Sequence, residues 1–218
     1  MLDFMKSKYL PSFVKRRGRI TKKQELNVSH LESYEVLGAN DIHQAAKGFD
    51  SIYIEIGFGD GENIISIAKE NPDKLFIGSE VYLSGIGSLI GKIIKFNIKN
   101  IRIHNGDIRD LLDDIRTPIL DGVLIICPDP WPKARHHKRR LINKEFLNLI
   151  GIRIKKAGGL YISTDWEDYA ENISEAIKGS EAFHYTEEQL FTELPITRFQ
   201  SRAIKEGREI FRFNLLKN

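Results

Sequence analysis

Past residue 50 short strand-length segments rich in apolar residues alternate with stretches in which apolar positions recur every three or four residues. The short segments are Ser51–Ile56, Leu75–Glu80, Ile101–His104, Gly122–Cys127 and Leu160–Ser163. Segments of this length predict strands, and the continuously apolar Gly122–Cys127 predicts a buried one. Between them, helical spacing covers Glu62–Asn71, where Ile64, Ile65, Ile67 and Ala68 share a face and Pro72 stops the turn. It covers Leu83–Phe96, whose glycines permit close packing, and Leu141–Lys156, with Ile142, Phe146, Leu149 and Ile150 at helical spacing and Gly158-Gly159 as the end. A further helix is predicted over Glu167–Lys178, and a last pair of strands over Ala182–Tyr185 and Glu209–Leu215. Strands alternating with helices predict an α/β fold: a mostly parallel, seven-stranded, Rossmann-like sheet with helices on both faces.

Residues 1–30 lack this order and read as a basic arm with one or two helical turns, mobile when unbound; residues 31–218 read as a single domain, with 31–50 as its connector. Residues 1–23 carry eight Lys or Arg against one acid, so the arm holds +7 of a chain whose net charge is +3, and the rest sums to −4. A basic arm on a slightly acidic body suits a polyanionic partner; a targeting segment or a surface arm without a role are the alternatives. No apolar run approaches the roughly 18 residues of a membrane span. The single cysteine, Cys127, excludes an internal disulfide and fits a reducing, cytoplasmic setting. His and Cys show no metal-ligand spacing, so no metal is expected.

Ligands of parallel sheets bind beyond the carboxyl ends of the strands. Glu55, Glu80, Asp107, Asp129 and Asp165 all fall there, one per strand. Each alone is as well explained as a turn former or helix cap; five together point to a ligand that welcomes negative charge. Gly57, Gly59 and Gly61 let the backbone approach it closely. The spacing is not the dinucleotide fingerprint, because the third glycine comes one place early and Glu62 stands where glycine is wanted. Carboxylates also repel a pyrophosphate. S-adenosylmethionine has no phosphate and carries a sulfonium and an ammonium. The acid, the three alternate glycines and a second acid at the next strand end match the class I methyltransferase pattern: Glu80 for the ribose hydroxyls, Asp107 beside the adenine amine.

Pro128 to Arg140 then brings a carboxylate, an indole and five Lys or Arg to the end of the fourth strand. The prolines flanking Trp131 predict an extended, stiff loop. The cations suit a phosphate backbone and the indole an unstacked base, whereas a charge run alone is more often a solvated face.

With these segments in view, the whole chain resembles the bacterial tRNA (guanine-N7)-methyltransferases. The matching stretches are Ser12–Lys22, the glycine loop, Gly78–Tyr82, Pro128–Arg140 and Thr164–Ala170, with Asp129–Arg140 the most specific. The resemblance implies methyl transfer to N7 of guanosine 46 in the tRNA variable loop, with S-adenosylmethionine as donor. It implies Asp129 as the catalytic position, also facing the donor, and Lys133, Asp165, Thr197, Arg198, Phe199 and Gln200 as substrate-contacting positions. Arg135, His136, His137, Lys138, Arg139 and Arg140, with Arg16, Arg17 and Arg19 of the arm, are expected to meet tRNA. One departure stands out: the family's Thr-Lys-Phe-Glu is Thr197-Arg198-Phe199-Gln200 here, and Ala203 replaces a glycine. Competing readings are an exocyclic-amine methyltransferase, against which the unpaired prolines of Asp129-Pro130-Trp131 weigh, and an RNA-binding module without catalysis. A cytosine methylase using Cys127 as thiolate competes with Cys127 as core. Both a monomer and a homodimer are compatible with the sequence.

Overall fold

A computed structural model of the protein describes residues 8–14, 19–191 and 194–218. Its centre is a seven-stranded sheet in the order β3-β2-β1-β4-β5-β7-β6. The strands are β1 (Ser51–Ile56), β2 (Lys74–Glu80), β3 (Ile101–Asn105), β4 (Leu120–Ile126), β5 (Ile154–Thr164), β6 (Phe183–Tyr185) and β7 (Phe211–Lys217). β1 to β5 pair in parallel, and β7 inserts antiparallel between β5 and β6. The chain runs outward from β1 through β2 to β3, then returns to the other side of β1 for β4 and β5. The order reverses between β1 and β4, which is where a crevice opens in such sheets.

The helices are α1 (Lys22–Val28), α2 (Ala39–Ala45), α3 (Glu62–Glu70), α4 (Leu83–Phe96), α5 (Ile108–Asp114), α6 (Lys144–Gly151), α7 (Glu167–Lys178) and α8 (Arg198–Lys205). Side chains alternate across a strand, and the core divides accordingly. Ile52, Ile54, Ile56, Val123, Ile125, Leu160 and Ile162 pack under α2, α5, α6 and α7. Phe76, Ile101, Ile103 and Leu124 pack on the opposite face under α3 and α4, joined there by Phe191.

The glycines of α4 do what their spacing suggests. A β-carbon on Gly87 would overlap the Gln24 carbonyl of α1, and one on Gly91 would overlap the Asn27 amide. Asn27 Nδ2 donates to the Gly87 carbonyl at 2.8 Å and Gln24 Nε2 to Ser88 at 2.9 Å. The helical part of the basic arm is thus packed on the domain. Residues 8–14 are also seated rather than loose. Lys8 and Tyr9 reach Asp113 at 2.6 and 2.8 Å, and the Leu10, Ser12 and Val14 carbonyls accept from Arg109, Trp131 and Tyr82.

The predicted helix over 141–156 is shorter. Asn143 caps α6 by accepting from the Phe146 N–H at 2.9 Å, and Arg153 closes its other end on the Leu149 carbonyl, also at 2.9 Å. From Ile154 the chain is strand, and Gly158-Gly159 lies inside it, beside a register shift opposite β4 and Ala157 at φ 61°. The paired glycines are not a helix stop. The Leu190 side chain lies over Gly159 and Gly122, so that a β-carbon at either would have to displace it.

Candidate functional site

A cavity of about 210 Å³ opens beyond the ends of β1, β2, β3 and β4, at the reversal of strand order. Its wall includes Gly57, Gly59, Glu80, Asp107, Cys127 and Asp129. Ser12 and Phe13 of the docked arm and Phe199 of α8 complete it. Gly57, Gly59 and Gly61 have φ of 72°, 59° and 78°, a left-handed backbone that a side chain strains. A larger groove of about 700 Å³ adjoins, sharing Gly59, Glu80, Tyr82 and Phe199 with the cavity and lined further by Arg198, Arg202 and Lys205.

The five strand-end acids take three different positions. Glu80, Asp107 and Asp129 stand on the cavity wall. Glu80 accepts backbone N–H groups from Gly59 (3.0 Å), Val81 (2.7 Å) and Tyr82 (3.1 Å). A carboxylate has about four acceptor sites, so Glu80 both fixes the glycine loop and keeps room for one ligand hydroxyl. Burial pushes its pKa up, against the pull of those three N–H groups. Asp107 caps α5 through the Arg109 N–H at 3.1 Å and is gripped by the Arg109 guanidinium at 2.9 and 2.5 Å. Asp129 is exposed, and its charge raises Glu80 further.

Glu55 is not on the wall. It alternates with Ile54 and Ile56 and points to the α3 face, where it is 3% exposed and accepts from Asn63 Nδ2 at 2.9 Å. Burial, with Glu80 nearby, pushes its carboxyl up to about 8. Asp165 lies just past β5 and pairs with Arg208 at 2.9 Å instead of capping α7.

The stretch after β4 departs from the extended loop expected. Cys127 and Trp131 both adopt left-handed φ, 49° and 48°. The turn at Trp131 swings the indole back so that Nε1 donates to the Ser12 carbonyl at 2.9 Å, while Arg139 lies 5.0 Å over the ring and His136 meets its edge at 5.7 Å. Lys133, Arg135 and Lys138 are exposed; His136, His137 and Arg139 are partly covered. Arg140 is 4% exposed and cannot meet RNA as expected. Its guanidinium donates to Asp168, Asn172 and, at 2.9 Å, the Pro130 carbonyl, and stacks 4.9 Å from the Tyr169 ring. It pins the loop that carries Asp129 to α7. Of the arm residues, Arg19 is exposed, and Arg16 and Arg17 lie outside the described residues. Burial first, then Asp165, pushes the Cys127 thiol up to about 12, which does not suit a thiolate nucleophile.

Sequence reasoning took Thr197–Gln200 only as a binding segment. It is also the start of α8: Thr197 accepts from the Gln200 N–H at 3.3 Å while Gln200 Oε1 accepts from the Thr197 N–H at 3.0 Å. Thr-x-x-Gln is a readable capping-box signal. Gln200 is buried and its Nε2 donates to Ser163 at 3.3 Å, a bond that a carboxylate in its place could not donate. Arg198 pairs with Asp60 of the glycine loop at 3.0 Å, and Phe199, 65% exposed, stands between cavity and groove.

A seven-stranded sheet with one reversed strand near its edge, and an acid-lined cavity at the β1/β4 reversal, define a Rossmann-like methyltransferase. Solved structures agree on the fold. The 16S rRNA methyltransferase KamB superposes with a TM-score of 0.59 at 13% identity, covering 84% of this chain and 95% of its own. TrmN from Thermus thermophilus gives 0.55 at 16%, covering 81% and 47%. The model of the family described as "Putative methyltransferase" matches residues 50–213. A tRNA (guanine-N(7)-)-methyltransferase of Nitrosococcus oceani is 39% identical, covering 93% of this chain and 88% of its own. That of Wolbachia pipientis wMel is 38% identical, covering 99% and 96%. The chain belongs to the bacterial tRNA (guanine-N7)-methyltransferase family.

Proposed function

We propose that the protein transfers a methyl group from S-adenosylmethionine to N7 of guanosine 46 in the variable loop of tRNA. The observation that carries this reading is Asp129 sharing one cavity wall with Glu80 and Asp107, at the end of the strand that leads into the cationic stretch Lys133–Arg139. The residues suit that donor: Glu80, Asp107 and Asp129 line the cavity, no Lys or Arg stands on its wall among the described residues, and Glu80 has an acceptor site left for a ribose hydroxyl. No described helix is long and apolar enough to cross a membrane.

When bound, S-adenosylmethionine supplies a methyl group on a positively charged sulfur, which keeps the bonding electrons as the purine nitrogen takes the methyl. N7 of guanine has an in-plane lone pair and no proton, so no general base is needed. The protein's task is alignment and charge. Asp129 faces the positive charge that grows on the imidazole ring. Arg140 and the Trp131–Ser12 bond hold its loop still. Lys133, Arg135 and Lys138 are placed to hold phosphates without reading sequence.

Asp129→Ala separates binding from chemistry. Its tRNA affinity is expected to stay near wild type while turnover falls by roughly 10²- to 10³-fold, the usual cost of one lost electrostatic contact. Turnover at the wild-type rate would remove Asp129 from the mechanism.

A further inference from the structure

We propose that Arg109 is a donor-positioning residue: it fixes the Asp107 carboxylate so that the remaining acceptor site meets the 6-amino group of the donor's adenine. The inference rests on the reading of S-adenosylmethionine as donor and of Asp107 as the acid beside its adenine. Asp107 stands on the cavity wall between Gly106 and Ile108, and Arg109 does not. The guanidinium grips the carboxylate from outside the cavity. Its Nε donates to Oδ1 at 2.9 Å and its Nη2 to Oδ2 at 2.5 Å, a two-point fork. The Arg109 backbone N–H takes Oδ1 a second time at 3.1 Å. A carboxylate has about four acceptor sites, so one is left, on Oδ2. The two side chains are only 13% and 8% exposed, which shields the fork from water.

The needs of α5 do not account for Arg109. A cation in the first turn of a helix opposes the helix dipole, and the cap requires only the Asp107 side chain and a backbone N–H. The guanidinium is instead held in place by the N-terminal arm. Nη2 also donates to the Leu10 carbonyl at 2.9 Å, and the Tyr9 ring lies 4.6 Å from the guanidinium carbon. Tyr9 is itself fixed by its hydroxyl on Asp113 at 2.8 Å. A planar group held by a carboxylate, a carbonyl and an aromatic face has one orientation, and it gives the carboxylate one orientation too. The consequence is selectivity for the base. Adenine offers an amino donor at position 6, whereas hypoxanthine offers O6, a second acceptor that an acceptor repels. A carboxylate free to rotate can turn away from O6 or admit a water between; one locked by a fork cannot. An ammonium makes only point contacts and does not supply that lock.

The test compares the binding of S-adenosylhomocysteine and S-inosylhomocysteine by titration calorimetry. The two differ only at that purine edge, and binding requires no methyl acceptor. Wild type is expected to prefer the adenine compound by roughly 10- to 100-fold, the worth of one hydrogen bond to a charged group. In Arg109→Ala the preference is expected to fall several-fold, chiefly through weaker binding of the adenine compound, and Arg109→Lys is expected to recover only part of it. Asp107→Ala should abolish the preference, and adding Arg109→Ala to it should change the preference no further, because Arg109 acts through Asp107. Equal weakening of both compounds in Arg109→Ala would mean a merely structural role and overturn the proposal, as would an unchanged preference. Should Arg109→Ala fail to fold, the full wild-type preference in Arg109→Lys would overturn it equally. Wild-type protein that binds S-adenosylhomocysteine without preference would remove Asp107 from adenine recognition and Arg109 with it. Wild-type protein that binds neither compound would instead overturn the donor reading on which the role rests.

Discussion

Gly85 at the start of α4 lies directly against the Gly59 carbonyl, with the Glu80 side chain beside it; a β-carbon on Gly85 would overlap that oxygen and stand 3.4 Å from Glu80 Cγ. The contact sets the height of the glycine loop over the sheet. Gly85→Ala is therefore expected to displace the loop and weaken donor binding. Overpacking of this kind costs about 1–3 kcal/mol. In thermal melts the variant should show a lower Tm and a reduced upward shift with S-adenosylmethionine, since only a ligand of the folded state raises Tm. A wild-type shift would mean that the loop tolerates the move.

Glu55 predicts a pH dependence of a definite sign. Burial holds its carboxyl up to about 8 in the folded protein, whereas an unfolded chain releases that proton near 4.3. The folded state thus binds more protons between these values. The contribution to stability is complete below about 4 and is lost as pH rises through 8, at up to about 1.4 kcal/mol per pH unit. The buried Asn63 Oδ1, which has no donor among the described residues, is consistent with a protonated partner. The ligand-free protein should melt at lower temperature at pH 8 than at pH 5.5, and Glu55→Gln should flatten that slope. An unchanged slope in the variant would assign it elsewhere.

Two adjacent arginines should behave as opposites. Arg140 is buried and ties Pro130 to α7. Arg140→Ala leaves polar groups without a partner and is expected to cost about 1–3 kcal/mol, read as a fall in Tm with turnover reduced through a loosened Asp129. Arg139 is partly covered on the Trp131 ring. Arg139→Ala is expected to leave Tm nearly unchanged while lowering tRNA affinity and reducing the slope of log K against log salt by about 0.7 to 0.9. Identical effects of the two changes would contradict the division.

The fold was legible where tertiary contact and local pattern agree. The runs Ser51–Ile56, Leu75–Glu80 and Gly122–Cys127 are strands whose Ile, Leu and Phe side chains are covered on both faces, and α3 and α4 carry helix-spaced isoleucines. Legibility failed where one residue type serves two ends. Gly158-Gly159 resembles a helix stop, but Gly159 lies under Leu190 and Gly158 against Ile154 and the Asp121 carbonyl. The prolines around Trp131 suggest extension, but the indole's bond to Ser12 turns the chain. Arg140 is indistinguishable in sequence from the exposed cations before it, because its partners Asp168 and Asn172 come from α7. For the same reason the pairing of Arg208 with Asp165, 43 positions earlier, carried no local signal.

The most direct test of the proposed activity is nucleoside mass spectrometry of unmodified tRNA incubated with the purified protein and S-adenosylmethionine. The expected product is 7-methylguanosine, absent when guanosine 46 is replaced by another base. A methylated adenine, an N2-methylguanosine, or 7-methylguanosine that persists after the replacement would contradict the account.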